Sequence, residues 1–164
     1  LDQIVRLQAT QLDAANDTIT KSNSEVAALK QYVSYLGKLD SQVRKTLGIG
    51  SIAIMSNDPT DYPEDSWDAM ARIARERDFP FPYVLDDTQV VAKAYGAVCT
   101  PDFFGYNAGL ELQYRGRLDE SRKETAAGAK RELFEAMRQV VETGNGPKEQ
   151  IPSMGCSIKW KQAA

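Results

Sequence analysis

Histidine is absent from this 164-residue chain, and cysteine occurs only twice. Without an imidazole there is no Ser-His-Asp triad, no histidine acid–base catalysis and no His-ligated metal site. The two cysteines, Cys99 and Cys156, lie far apart in the sequence and form neither a disulfide framework nor a zinc motif. No apolar run approaches the ~20 residues a helix needs to cross a bilayer. The formal net charge is −3 and there is no basic run, which argues against nucleic acid and against an anionic membrane surface as partners. No glycine cluster matches a P-loop or a dinucleotide-binding turn. Thiol chemistry, carboxylate chemistry or binding remain, and no metal or organic cofactor is implied.

What is present divides into two patterns. In the first, Val5, Leu12, Ile19, Val26 and Val33 recur every seven residues, with Gln8, Ala15, Ser22, Leu29 and Leu36 at the companion positions. This periodicity predicts a long N-terminal helix over residues 1–32, either packed on its own domain or docking a partner as a coiled coil. Asn16, Asp17, Ser22, Asn23 and Ser24 weaken it locally.

From about residue 33 the pattern is α/β, and the chain is long enough for one domain with a substantial core. Residues 33–47 read as a helix stopped by Gly48. Ile52-Ala53-Ile54-Met55 is a short apolar run of the kind found in buried parallel strands. Ser66 is placed to cap a helix with Trp67, Met70, Ile73 and Ala74 inward. Tyr83-Val84-Leu85 reads as a strand. Asp87 or Thr88 then caps a brief helix, with Val90, Val91, Ala94 and Tyr95 inward and Gly96 as its stop. Phe103 to Tyr106 and Glu111 to Arg115 form a hairpin around Asn107-Ala108-Gly109. A last helix carries Leu133, Phe134, Met137, Val140 and Val141 and ends at Gly144. The organisation is therefore a helix over 1–32, an α/β domain over 33–146 and a tail over 147–164 that packs on it.

The order strand, helix, strand, helix, Thr-Pro loop, hairpin, helix resembles the thioredoxin fold. Ser56-Asn57-Asp58-Pro59, Tyr62-Pro63-Glu64-Asp65-Ser66, Phe79-Pro80-Phe81-Pro82-Tyr83, Ala94-Tyr95-Gly96-Ala97-Val98-Cys99-Thr100-Pro101-Asp102-Phe103-Phe104, Tyr114-Arg115-Gly116-Arg117-Leu118-Asp119 and Gly155-Cys156-Ser157-Ile158-Lys159-Trp160 are similar to one peroxiredoxin-like branch of the AhpC/TSA family. The resemblance covers about residues 33–161. It implies a thiol oxidoreductase fold in which a central strand ends in Asn-His-Cys-Pro before the first helix. Here Ala28-Leu29-Lys30-Gln31 stands in that place, so the family's nucleophile, its histidine and its proline are missing. The central strand is missing with them, which leaves its two neighbours to pair directly or to accept a strand from elsewhere.

The candidate site residues follow. Cys99 and Cys156 are the only thiols that oxidation or a mixed disulfide can use. The plainer readings are a buried inert cysteine for Cys99, which is the preferred one, and a packing residue beneath Ile158 and Trp160 for Cys156. Whether the two join in a disulfide is left to their separation. Thr100 and Pro101 offer backbone groups to an extended substrate or protein partner, or simply start a strand. Arg117, Asp119, Ser121 and Arg122 bind an anion or form a structural ion pair, the second being preferred. Asn57 and Asp58 sit where α/β folds build ligand sites, although an Asx turn explains them as well. The functional expectation is a thioredoxin-fold protein acting as a structural or partner-binding subunit of a larger assembly. The alternative is a thiol oxidoreductase that reduces peroxide or disulfides through Cys99 and Cys156 or a cysteine of another chain. Free thiols favour a reducing compartment. The start at Leu1 suggests a removed targeting segment, so the expected location is the cytoplasm or an organelle.

Overall fold

The computed structural model describes residues 45–121 and 128–162. The chain divides after residue 36, and every described residue belongs to the second unit. The expected N-terminal helix, most of the helix over 33–47, and Arg122 therefore lie outside the described residues.

Residues 45–47 are helical, and Gly48 follows at φ +68°, a left-handed conformation that only glycine adopts without steric cost. Strand β1 (Ala53–Met55) pairs in parallel with β2 (Tyr83–Leu85), with Ile54 opposite Val84. A 3-10 turn at Pro63–Asp65 and helix α1 (Trp67–Glu76) connect them. Ser66 caps α1 by accepting a hydrogen bond from the Ala69 amide. Helix α2 (Val90–Tyr95) follows β2 and ends at Gly96, φ +64°. Then come β3 (Cys99–Thr100), the hairpin β4 (Phe103–Tyr106) and β5 (Leu112–Gly116), helix α3 (Glu132–Thr143) and β6 (Cys156–Ser157). The architecture is mixed α/β, and among the described residues the strands form three separate two-stranded sheets, β1–β2, β3–β6 and β4–β5.

Several inward positions differ from the sequence expectation. β1 is not a fully buried strand, because β2 is its one partner among the described residues: Ile52 is 58% exposed and Ile54 37%. β1 and β4 do not pair with each other. Trp67, at the first position of α1, is exposed, and Ala69 and Met70 are the buried residues of that helix. On α2, Val90, Ala94 and Tyr95 are exposed and Ala92 is buried. On α3, Ala136, Met137 and Val140 point inward while Val141 is exposed. The returning hairpin strand starts one residue later than expected, because the Asn107 side chain accepts from the Gly109 and Glu111 amides and extends the turn. The core gathers Tyr114, Ala136, Met137 and Val140, with Leu47, Ile49, Phe103 and Leu133 packed around them. Tyr114 is buried and its hydroxyl donates to the Arg117 carbonyl.

The α2 cap also differs. Neither Asp87 nor Thr88 supplies it. The buried Asp86 carboxylate accepts from the amides of Val91 (3.3 Å) and Ala92 (2.9 Å) and from the Ser56 hydroxyl (3.0 Å). Burial pushes this carboxyl up, but the amide and hydroxyl donors outweigh it and hold its pKa below the ordinary value. Its stabilising contribution is thus complete above the unfolded value of about 3.9 and is lost as pH falls through the folded one. Asp86→Ala is expected to cost about 1–2 kcal/mol at pH 7, the usual range for a lost cap. Urea titrations at pH 7 and pH 3 check this, and the difference from the parent should shrink at the lower pH.

Candidate functional site

The Cys99–Pro101 loop joins α2 to the hairpin. α2 stops at Gly96, and β3 presents Cys99 and Thr100 immediately before a cis Thr100–Pro101 bond. Asp102 anchors the loop from below. Its side chain is 3% exposed, accepts from the Val98 amide and pairs with Arg115 at 3.2 Å. The Arg115 guanidinium also donates to the Gly96 carbonyl and lies 5.0 Å from the centre of the Phe104 ring. The loop is therefore held at both ends by one arginine.

Cys99 is half-buried, and its thiol donates to the Pro101 carbonyl at 3.5 Å. Burial pushes this thiol above its ordinary pKa, and the Asp102 charge adds to the shift while Arg115 opposes it in part. A low-pKa thiol needs an electropositive, accessible setting, and Cys99 has the reverse. Cys156 is exposed. In the antiparallel β3–β6 pair, Cys99 stands opposite Ser157, and Thr100 stands opposite Cys156. Directly opposed residues share a face and successive residues alternate, so the two thiols project to opposite faces. Both are free, and a Cys99–Cys156 disulfide would require β6 to turn over.

The peptide edge that Thr100 offers is taken by the chain itself, because β6 pairs along it. The tail is tied down on both sides of that pairing. Upstream, the Arg117 amide donates to the Ile151 carbonyl (3.0 Å) and Ser153 donates to the Gly116 carbonyl (2.6 Å). Downstream, the Asp58 amide donates to the Lys159 carbonyl (2.8 Å), and the Lys159 amide donates to the Asn57 side chain (3.0 Å). Ile158 is buried and Trp160 is 42% exposed.

The remaining candidates separate. Arg117 pairs with Glu132 of α3, so the ion-pair reading describes it, with a partner fifteen residues away that spacing alone did not indicate. The Asp119 carboxylate is buried and accepts from the Ser121 amide at 2.8 Å. Asp58 makes the Asx turn, accepting from the Thr60 amide and hydroxyl, and these bonds lower its pKa. Asn57 donates to Asp65 and accepts from Lys159. Asp58 also lines an open groove of about 700 Å³ with Tyr62, Asp87, Lys159, Trp160 and Lys161. In that groove Lys161 is paired to Asp87 at 2.8 Å, and Lys159 lies 4.8 Å from the centre of the Tyr62 ring. Sequence reasoning missed Gln89, whose buried amide ties Ser56, just after β1, to Lys159 and Lys161 of the tail. The only signal for it was an amide side chain just ahead of a short helix. Among the described residues, no group of three Asp, Glu, Cys or His is placed to hold a metal ion, and no helix is long and apolar enough to cross a membrane.

No protein-family model and no curated protein matches this chain. Solved structures do match it. An uncharacterized conserved protein from Geobacillus kaustophilus is 42% identical, over 80% of this chain and 70% of that one, with a TM-score of 0.73. A hypothetical protein from Sinorhizobium meliloti is 34% identical, over 80% of this chain and 72% of that one, also with a TM-score of 0.73. The chain belongs to the family these two proteins represent.

Proposed function

We propose that this chain is a thioredoxin-like, peroxiredoxin-like domain that serves as a structural or partner-binding subunit and has no peroxidatic centre of its own. The element order supports the fold reading: a parallel β1–α1–β2 unit, then α2, the Thr-Pro loop, an antiparallel hairpin and a final helix. One observation carries the functional reading. Cys99, the thiol beside the Thr-Pro loop, is half-buried, bonded to the Pro101 carbonyl and shifted away from the thiolate. The chain contains no cysteine at the position where the peroxiredoxin-like resemblance places a nucleophile. The partner in this reading is a protein that meets the Thr-Pro loop or the N-terminal segment.

The exposure of Cys156 favours one competing reading, a thiol oxidoreductase in which Cys156 attacks peroxide or a disulfide. Peroxide consumption in the presence of dithiothreitol separates the two. The structural reading predicts a rate equal to the buffer background for the parent and for Cys156→Ser alike. Consumption well above background that Cys156→Ser abolishes would establish the oxidoreductase.

A further inference from the structure

We propose that residues 152–157 form a strap across the Cys99–Thr100 edge, fixed at its two ends and able to lift in the middle, so that it decides when that edge can pair with an external strand. This rests on the reading of the Thr-Pro loop as a partner-binding edge.

The argument comes from how unevenly the tail is held. On the upstream side, Ile151 and Ser153 bond to Arg117 and Gly116, and Gln150 accepts from the Arg115 amide (2.7 Å) and donates to the Gln113 carbonyl (2.9 Å). On the downstream side, Ile158 is buried and Lys159 and Lys161 are bonded to Asn57, Asp58 and Gln89. Between these anchors Met154, Gly155, Cys156 and Ser157 are all exposed, and Met154 is 64% exposed. A ladder of only two residues holds this stretch to β3, with a long 3.5 Å contact from the Thr100 hydroxyl to the Cys156 carbonyl. Segments with few buried contacts and exposed backbone bonds open locally, well below the cost of global unfolding. Here the segment poised to open covers the backbone edge that the loop would otherwise present, and both anchors remain in place when it does.

The strap's fit also defines what can replace it. Gly155 passes so close to the Thr100 carbonyl that a Cβ there would overlap it. A strand that takes the strap's own antiparallel path along β3 therefore needs a glycine at the same place, as in the chain's own Gly-Cys-Ser sequence.

Hydrogen–deuterium exchange of the full chain, resolved by peptide, tests the strap without any partner. The amides of residues 154–157 and of Cys99 and Thr100 should exchange about 100-fold faster than those of β5 and α3, at a rate insensitive to low urea. Gly155→Ala, which pushes the centre of the strap off Thr100, should raise the exchange rate of the residue 154–157 amides about 10-fold further. Exchange of residues 154–157 only at the global unfolding rate would overturn the proposal. So would unchanged exchange of residues 154–157 in a folded Gly155→Ala chain. Partner binding is then read separately, as the affinity of a synthetic peptide of residues 150–161 for the Gly155→Ala chain. An open strap that takes no peptide would remove the partner-edge reading and leave the gate standing.

Discussion

A chain ended at Glu149 is expected to lose its cooperative unfolding transition, or to melt at least ~10 °C below the parent, a shift that corresponds to a few kcal/mol for a domain of this size. The tail bonds to, or just beside, a strand of each of the three two-stranded sheets among the described residues. Ile151 and Ser153 close onto β5, β6 pairs with β3, and Lys159 bonds to the loop after β1. Removing it exposes the surface that Ile158 covers, since Ile158 itself is buried, and full burial of such a side chain is worth about 1.5–3 kcal/mol. It also strips partners from a side chain that is buried in the intact domain. The Gln89 amide loses the Lys159 carbonyl and the Lys161 amide together. Leaving a buried polar group unsatisfied costs about 1–3 kcal/mol, against a typical domain stability of only about 5–15 kcal/mol. Circular dichroism melts of the parent, of the chain ended at Glu149 and of one ended at Gln162 check this. The last should behave like the parent.

Gln89→Glu is expected to destabilise the domain by about 3 kcal/mol or more at pH 7, the range for burying an unpaired charged or polar group. Gln89 is 1% exposed, and its Nε2 donates to two carbonyls, Ser56 at 2.7 Å and Lys159 at 2.8 Å. Its Oε1 accepts from the Lys161 amide at 2.8 Å. A carboxylate keeps the last bond but turns an oxygen towards two carbonyl oxygens. The new acid must then be protonated in the folded state to donate to even one of them, so its folded pKa is raised above the unfolded value of about 4.3. The penalty is complete above the raised folded value, shrinks as pH falls from there towards about 4.3, and is least below it. Asp86→Ala has a different pH signature, because the parent itself loses the benefit of Asp86 in acid. Urea unfolding of Gln89→Glu at pH 7 and pH 4 measures both the size and the slope, and Gln89→Ala should show the loss without the slope.

The parts of the fold that were legible in the sequence are those that local chemistry dictates. Gly48, Gly96 and Gly144 all take left-handed φ where helices stop, and Ser66 caps α1. The strands at 53–55 and 83–85 followed from two short apolar runs separated by a helical pattern, while their parallel pairing with each other comes from the structure. What local chemistry does not dictate was misread. An apolar run such as Ile52–Met55 carries no information on whether a second strand flanks it, and without one its outer face stays exposed. The α2 cap came from Asp86, one position ahead of Asp87, because Gln89 at φ +60° turns the chain early. At the candidate site, the Thr-Pro loop and both thiols were identifiable by residue type. Their opposite faces were not, because β6 is a two-residue strand with no alternation to read, and its register with β3 is set by anchors at Gly116, Asn57 and Gln89. The Arg117–Glu132 pair was hidden for a similar reason, since its partner lies on a helix beyond the hairpin.

The pH dependence of Cys99 alkylation tests the central claim most directly. Iodoacetamide rates from pH 6 to 10, with Cys99 and Cys156 followed separately by peptide mass spectrometry, report the thiolate fraction of each. A Cys99 midpoint above the free-thiol value of about 8.5 is predicted, because burial and Asp102 disfavour the thiolate. A midpoint below 7 would mean that Cys99 is an activated nucleophile and would contradict the reading of this domain as one without a redox centre.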